Sequence, residues 1–114
     1  NRGCFLVVTV EFYRDNHGFT AMDLKGHAGY NPGNDVVCAG ISALAFALVG
    51  TLKNIQDISF TRLQYQNGVT VEIEPFADET EQAVVDAVFM TVLIGLKQIE
   101  KQYPNHIQVR EMKT

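Results

Sequence analysis

The chain reads as an α+β domain in the order β-β-α-β-β-α-β, an antiparallel or mixed five-stranded sheet with two helices packed on it. Three observations predict this. Five short segments are rich in β-branched and aromatic residues, two long apolar runs carry helix-boundary signals, and turn residues join the strand-like segments in pairs.

Residues 4–13, CFLVVTVEFY, form the first predicted strand. RDNHG at 14–18 is a turn whose Gly18 is free to take positive φ, and 19–25 is the returning strand of a hairpin. A Gly/Asn/Pro-rich loop occupies 28–34. The first helix starts at Asp35, whose carboxylate is a strong N-cap. It continues through VVCAGISALAFALVG and is expected to end near Gly50. Being apolar nearly all round, it is expected to be buried on more than one side, with its alanines and glycines allowing close backbone approach.

Residues 58–65 and 69–74 are strands joined through Asn67-Gly68, both suited to the positive φ of a type I′ turn. VTVEIE alternates, with Val69, Val71 and Ile73 facing inward, and Pro75 ends the strand. The second helix spans 79–102. Asp78 and Glu81 make a capping box at its start, Lys97 and Lys101 suit its dipole, and Pro104 marks its stop. HIQVREM at 106–112 is the last strand.

The 114 residues suit one domain spanning 1–114, and 46% apolar with 19% charged residues is an ordinary globular balance. A net charge of -4 without any Lys/Arg stripe argues against a nucleic-acid partner. Two cysteines, Cys4 and Cys38, are too few for a disulfide framework, so a reduced, cytoplasmic setting is expected. The opening NRGCFLVVTVEF lacks a small-residue cleavage site, and no secretory leader is expected. Val36 to Leu52 and Ala83 to Leu96 read as buried helices rather than membrane spans. His17, His106 and Cys4 show no metal-ligand spacing and no phosphate-binding glycine loop is present, so neither a metal nor a cofactor is expected. The apolar surface on offer exceeds what one sheet face covers, which points to a homodimer.

Chemistry concentrates at His27 and Cys38. With Asp35 as N-cap, Cys38 falls in the first helical turn, beside unpaired N–H groups and the positive end of the dipole. That environment lowers a thiol pKa and favours the reactive thiolate. His27, across the loop, is a candidate general acid/base, giving the minimum for acyl transfer, and first-turn amides are candidate oxyanion donors. On the residues alone, a buried structural cysteine and a strand-end histidine remain an open alternative.

The segment GHAGYNPGNDVVCAGISALA resembles the signature of the Prp family of ribosomal-processing cysteine proteases. The matching elements are Gly26-His27-Ala28, a short glycine-containing loop, Asp35-Val36-Val37-Cys38-Ala39, and Ser42. Length and element order are similar over essentially the whole chain. The resemblance implies a small cytoplasmic homodimer that removes an N-terminal extension from a large-subunit ribosomal protein. His27 and Cys38 would be its catalytic dyad. Gly26, Asp35 and Ser42 would support the site, Asp35 either as helix cap alone or also as an orienter of His27. Ser42 either joins the site or bonds the carbonyl four residues back. Ala28, Gly29, Tyr30, Asn31, Pro32, Gly33 and Asn34 would form a substrate-binding lid, with Tyr30 a candidate contact. The competing readings are a non-catalytic module that binds a ribosomal protein or assembly intermediate, and a thiol redox sensor.

Overall fold

A computed structural model describes residues 7–26 and 36–114. The strands are β1 (Val8–Arg14), β2 (Phe19–Lys25), β3 (Phe60–Gln64), β4 (Gly68–Ile73) and β5 (Ile107–Lys113). The helices are α1 (Val36–Lys53), between β2 and β3, and α2 (Glu79–Gln102), between β4 and β5. The element order is the expected one. The sheet runs β3-β4-β2-β1-β5 and is mixed, because β1 pairs antiparallel with β2 but parallel with β5. Residues 4–6 of the first predicted strand lie outside the described residues.

Alternation sets the core. Val8, Val10 and Phe12 of β1 share a face with Met22 and Leu24 of β2 and with Val69, Val71 and Ile73 of β4, and all are buried. Both helices cover this face. The opposite face is polar: Thr70 donates to Asp23 at 2.8 Å and Tyr13 to Glu11 at 2.9 Å. The Glu11 hydrogen bond, reinforced by burial and negative charge, raises the Tyr13 phenol above its ordinary pKa.

α1 departs from expectation twice. It continues past Gly50 to Lys53, because Leu52 completes a buried stripe with Val37, Ile41, Ala45 and Leu48, and that packing outweighs the glycine. It is also buried along one face only, leaving Val36 and Phe46 exposed on the other. Close helix packing does rest on glycine: a Cβ on Gly95 would lie 3.0 Å from a Leu44 methyl. Both helices are long and apolar enough to cross a membrane by length and composition; here they form the layer that covers the sheet.

α2 begins as expected, with the Asp78 carboxylate accepting from the Glu81 N–H at 3.3 Å. In the β3–β4 hairpin, Asn67 and Gly68 take positive φ, 58° and 139°. The pairing of Gln64 with Thr70 sets residue 65 opposite 69, so the connection spans 66–68 and is longer than a two-residue type I′ turn.

Where β1 turns into β2, α2 supplies a polar clamp. Asp86 Oδ1 accepts from the Phe19 N–H at 2.8 Å and from Gln82 Nε2 at 3.0 Å. Gln82 Nε2 also approaches the Phe19 carbonyl at 3.2 Å, while its Oε1 accepts from the Phe76 N–H at 2.8 Å. A Cβ at Gly18, φ 142°, would lie 2.5 Å from Asp86 Oδ1. Beneath the clamp, Phe19 and Phe89 stack at 5.4 Å with Phe12 edge-on to both.

Candidate active site

Of the candidate residues, Gly26, Cys38 and Ser42 are described, and Gly26 stands at the other end of the sheet. β2, the central strand, delivers Gly26 there with φ 101°, and a Cβ on it would lie 3.1 Å from the Val7 carbonyl oxygen. Only glycine passes so close to β1 while turning out of the sheet. The next residue is His27. His27, Ala28, Gly29, Tyr30, Asn31, Pro32, Gly33, Asn34 and Asp35 all lie outside the described residues.

Cys38 is the third residue of α1 and only 6% exposed. The first turn of α1 carries no acidic side chain, so no helical carboxylate opposes the positive dipole end at this sulfur. The sulfur is held in a disulfide, so the nucleophilic form arises only on reduction. Ser42, one turn on and half-buried, faces the same way along the helix.

Ser42 and Gly26 line one open cleft, of about 290 Å³, between α1 and the β3–β4 hairpin. Two of the sequence-predicted site residues are therefore brought together, and one of them, Ser42, lies one helical turn from Cys38, which does not itself line the cleft. The remaining wall comes from residues that sequence analysis passed over: Phe46 on α1, and Tyr65 and Asn67 of the hairpin. Phe46 had a signal, since 38, 42 and 46 follow the four-residue spacing of one helical face. Tyr65 had none, because its approach to α1 depends on how the hairpin folds over the sheet. Among the described residues no group of three or more His, Cys, Asp or Glu could hold a metal ion. The arrangement offers a sulfur at a helix start, one turn before a serine that lines an open cleft.

A family model described as cysteine protease Prp matches residues 7–108. The ribosomal processing cysteine protease Prp of Staphylococcus aureus strain Mu50 is 28% identical over 109 residues, 90% of this chain and 97% of the relative. The protein of the same name from Mycoplasma genitalium is 33% identical over 88 residues, covering 76% and 83%. Among solved structures, the essential ribosomal processing protease Prp from S. aureus with a covalently linked product peptide superposes with a TM-score of 0.73 at 25% identity, covering 91% of this chain and 98% of that one. SMU.848 from Streptococcus mutans shares the fold, with a TM-score of 0.74 at 23% identity and coverage of 95% and 96%.

Proposed function

The chain belongs to the cysteine protease Prp family and is a cysteine protease, and from that premise we propose that it removes the N-terminal extension of a large-subunit ribosomal protein with a Cys38–His27 dyad. The observation that carries the reading is the position of Cys38, in the first turn of α1 and one turn before Ser42, which lines a cleft together with Gly26, the residue before His27.

The reduced Cys38 thiolate attacks the scissile carbonyl carbon, and the carbonyl oxygen takes up the negative charge, stabilised by first-turn N–H groups of α1. The tetrahedral intermediate collapses with cleavage of the C–N bond as His27 delivers its proton to the departing amine. A thioester joins Cys38 to the N-terminal piece. Neutral His27 then takes a proton from water, whose oxygen attacks the thioester, releasing the carboxylic acid and regenerating the thiolate. Asp35 and Ser42 support the site, and residues 28–34 contribute to substrate binding. No cofactor enters any step.

In this reading the protein works in the cytoplasm, where the reducing poise frees the Cys38 sulfur. It works as a homodimer through the outer face of α2, where Ala83, Val84, Ala87 and Ile94 are exposed without an intervening exposed charge. The mild net acidity suits a protein rather than a nucleic-acid partner.

The test is hydrolysis, under reducing conditions, of a peptide carrying the extension junction of the ribosomal protein. We expect Cys38→Ala and His27→Ala each to lower kcat/KM by at least about 10⁴-fold. Processing by Cys38→Ala at the native rate would end the protease assignment for this cleft, and an indifferent His27→Ala would end the dyad.

A further inference from the structure

The Cys38 sulfur is held in a disulfide. The chain contains two cysteines, so a bond within it joins Cys38 to Cys4, which lies outside the described residues. The reaction described above needs the Cys38 sulfur free and has no use for Cys4.

The described residues bring the start of β1 and the start of α1 to one corner. A Cβ on Gly26 would lie 3.1 Å from the Val7 carbonyl oxygen, and the Val8 N–H donates to the His106 carbonyl at 2.9 Å. The His106 N–H donates in turn to the carbonyl of Tyr103, the C-cap of α2, at 3.0 Å. The opening turns of α1 lie against the closing turns of α2: a Cβ on Gly40 would lie 3.4 Å from Ile99 Cδ1. Three residues of extended chain reach about 11 Å, so a residue three before Val7 has this corner within range.

The position of the sulfur favours oxidation. Cys38 lies in the first turn of α1, where no acidic side chain opposes the positive end of the dipole and the thiolate is favoured. A thiolate attacks hydroperoxides to give a sulfenic acid. Without a second thiol at hand, further oxidation gives a sulfinic acid that thiol reductants do not reverse. A second thiol stops the sequence at a disulfide. In that bonded form Cys38 is only 6% exposed, so the sulfur is also withheld from a peptide.

We propose that Cys4 is the resolving thiol of a reversible switch, in which a hydroperoxide closes a Cys4–Cys38 bond that silences the nucleophile and protects it, and a dithiol reopens it. The silencing rests on the protease reading above; the bond chemistry does not. In closure, the Cys38 thiolate attacks one peroxide oxygen, the O–O bond breaks, and the other oxygen leaves as alkoxide and takes up a proton. The Cys4 thiolate then attacks the Cys38 sulfur, the S–O bond breaks, and hydroxide leaves and is protonated to water. Two thiols and one hydroperoxide thus give one disulfide, one alcohol and one water. In opening, a thiolate of the dithiol attacks the Cys4 sulfur and expels Cys38, the better leaving group at its helix start; the second thiol of the reductant then frees Cys4.

The experiment uses the full chain, reduced, freed of reductant, treated with a small excess of hydrogen peroxide and quenched with iodoacetamide. Intact mass should fall by about 2 Da without alkylation, the loss of two hydrogens. A non-reducing tryptic digest should yield residues 3–14 linked to residues 26–53, from protein that runs as a single chain on a denaturing gel. A Cys4 that iodoacetamide still labels after peroxide, or a bond that joins two chains, overturns the proposal.

Hydrolysis of the junction peptide should fall at least about tenfold on peroxide treatment and return nearly in full with dithiothreitol. Cys4→Ser should match the unaltered chain before peroxide and recover only about a tenth of its activity afterwards, with a sulfinic acid found at Cys38. Cys4→Ala is run beside it, and the mapping of the unaltered chain depends on no variant folding. Full recovery in both Cys4 variants overturns the protective role. The linked peptide found in a chain that, once reduced, cuts nothing sustains the bond and its reversal, and only the protease reading fails. Hydrolysis by the reduced chain with no linked peptide after peroxide leaves the protease reading intact and removes the switch.

Discussion

Where β1 turns into β2, the Phe19 and Phe76 N–H groups and the Gln82 amide find partners inside the clamp, over three interlocked phenylalanine rings. Where β2 ends at Gly26, two aromatic rings stand half in water beside a cleft, and His106 Nδ1 is buried without a hydrogen-bond partner among the described residues. The same sheet and the same two helices build both ends. The first end has the packing and polar satisfaction of a folding core. The second carries exposed apolar surface of the kind that binding later covers. If the proposed site is right, stability and chemistry are separated along the strands, and changes at one end should leave the other nearly untouched.

The sharpest way to break that separation is redox. With the Cys38 sulfur in a disulfide, peptide hydrolysis should be undetectable, and an added reductant should restore it fully. Activity that ignores reductant would place the nucleophile elsewhere. Next in size is Phe89→Ala, which empties the ring cluster. It should cost about 3–5 kcal/mol in urea unfolding, with kcat/KM of the folded fraction within about twofold of the unaltered chain. Asp86→Ala follows, at about 2 kcal/mol for the loss of a carboxylate that accepts from Phe19 and Gln82. Loss of activity in excess of lost folding, in either variant, would show that the two ends are coupled.

The smallest effect concerns Glu111 on β5. The hydrogen bond from Lys97 at 2.9 Å, aided by its charge and by Arg14, holds this carboxyl below its ordinary pKa. A lowered folded-state pKa means stability that is present above the ordinary glutamate range and is lost as pH falls through the folded value. The pair is solvent-screened, so Glu111→Gln should cost about 0.5 kcal/mol or less near neutrality. That difference should vanish in thermal melts run below the glutamate range.

Much of this was readable in the residues, and the gaps follow a pattern. Local signals held: the Asp78 cap, the inward Val69, Val71 and Ile73, the positive φ at Asn67-Gly68, and Cys38 in the opening turn of α1. What escaped depends on partners distant in sequence. The parallel pairing of β5 with β1 and the Gln82–Asp86 clamp reach across the chain, 67 residues in the case of Asp86 and Phe19. The run of α1 beyond Gly50 is decided by where Leu52 packs, which no helix propensity contains. In the candidate site, Cys38, Gly26 and Ser42 carried a legible pattern, whereas Tyr65 is brought to α1 only by the fold of its hairpin.

The sheet order has one more implication. β2 is third of five strands and is hydrogen-bonded along both edges, to β1 and to β4. Its amides are freed only when neighbouring ladders on both sides part, so in native-state exchange Met22 and Leu24 should surrender their protons last, at the rate of whole-molecule opening. The sheet's most firmly held strand thus ends at Gly26, where the positive φ turns the backbone out of the frame.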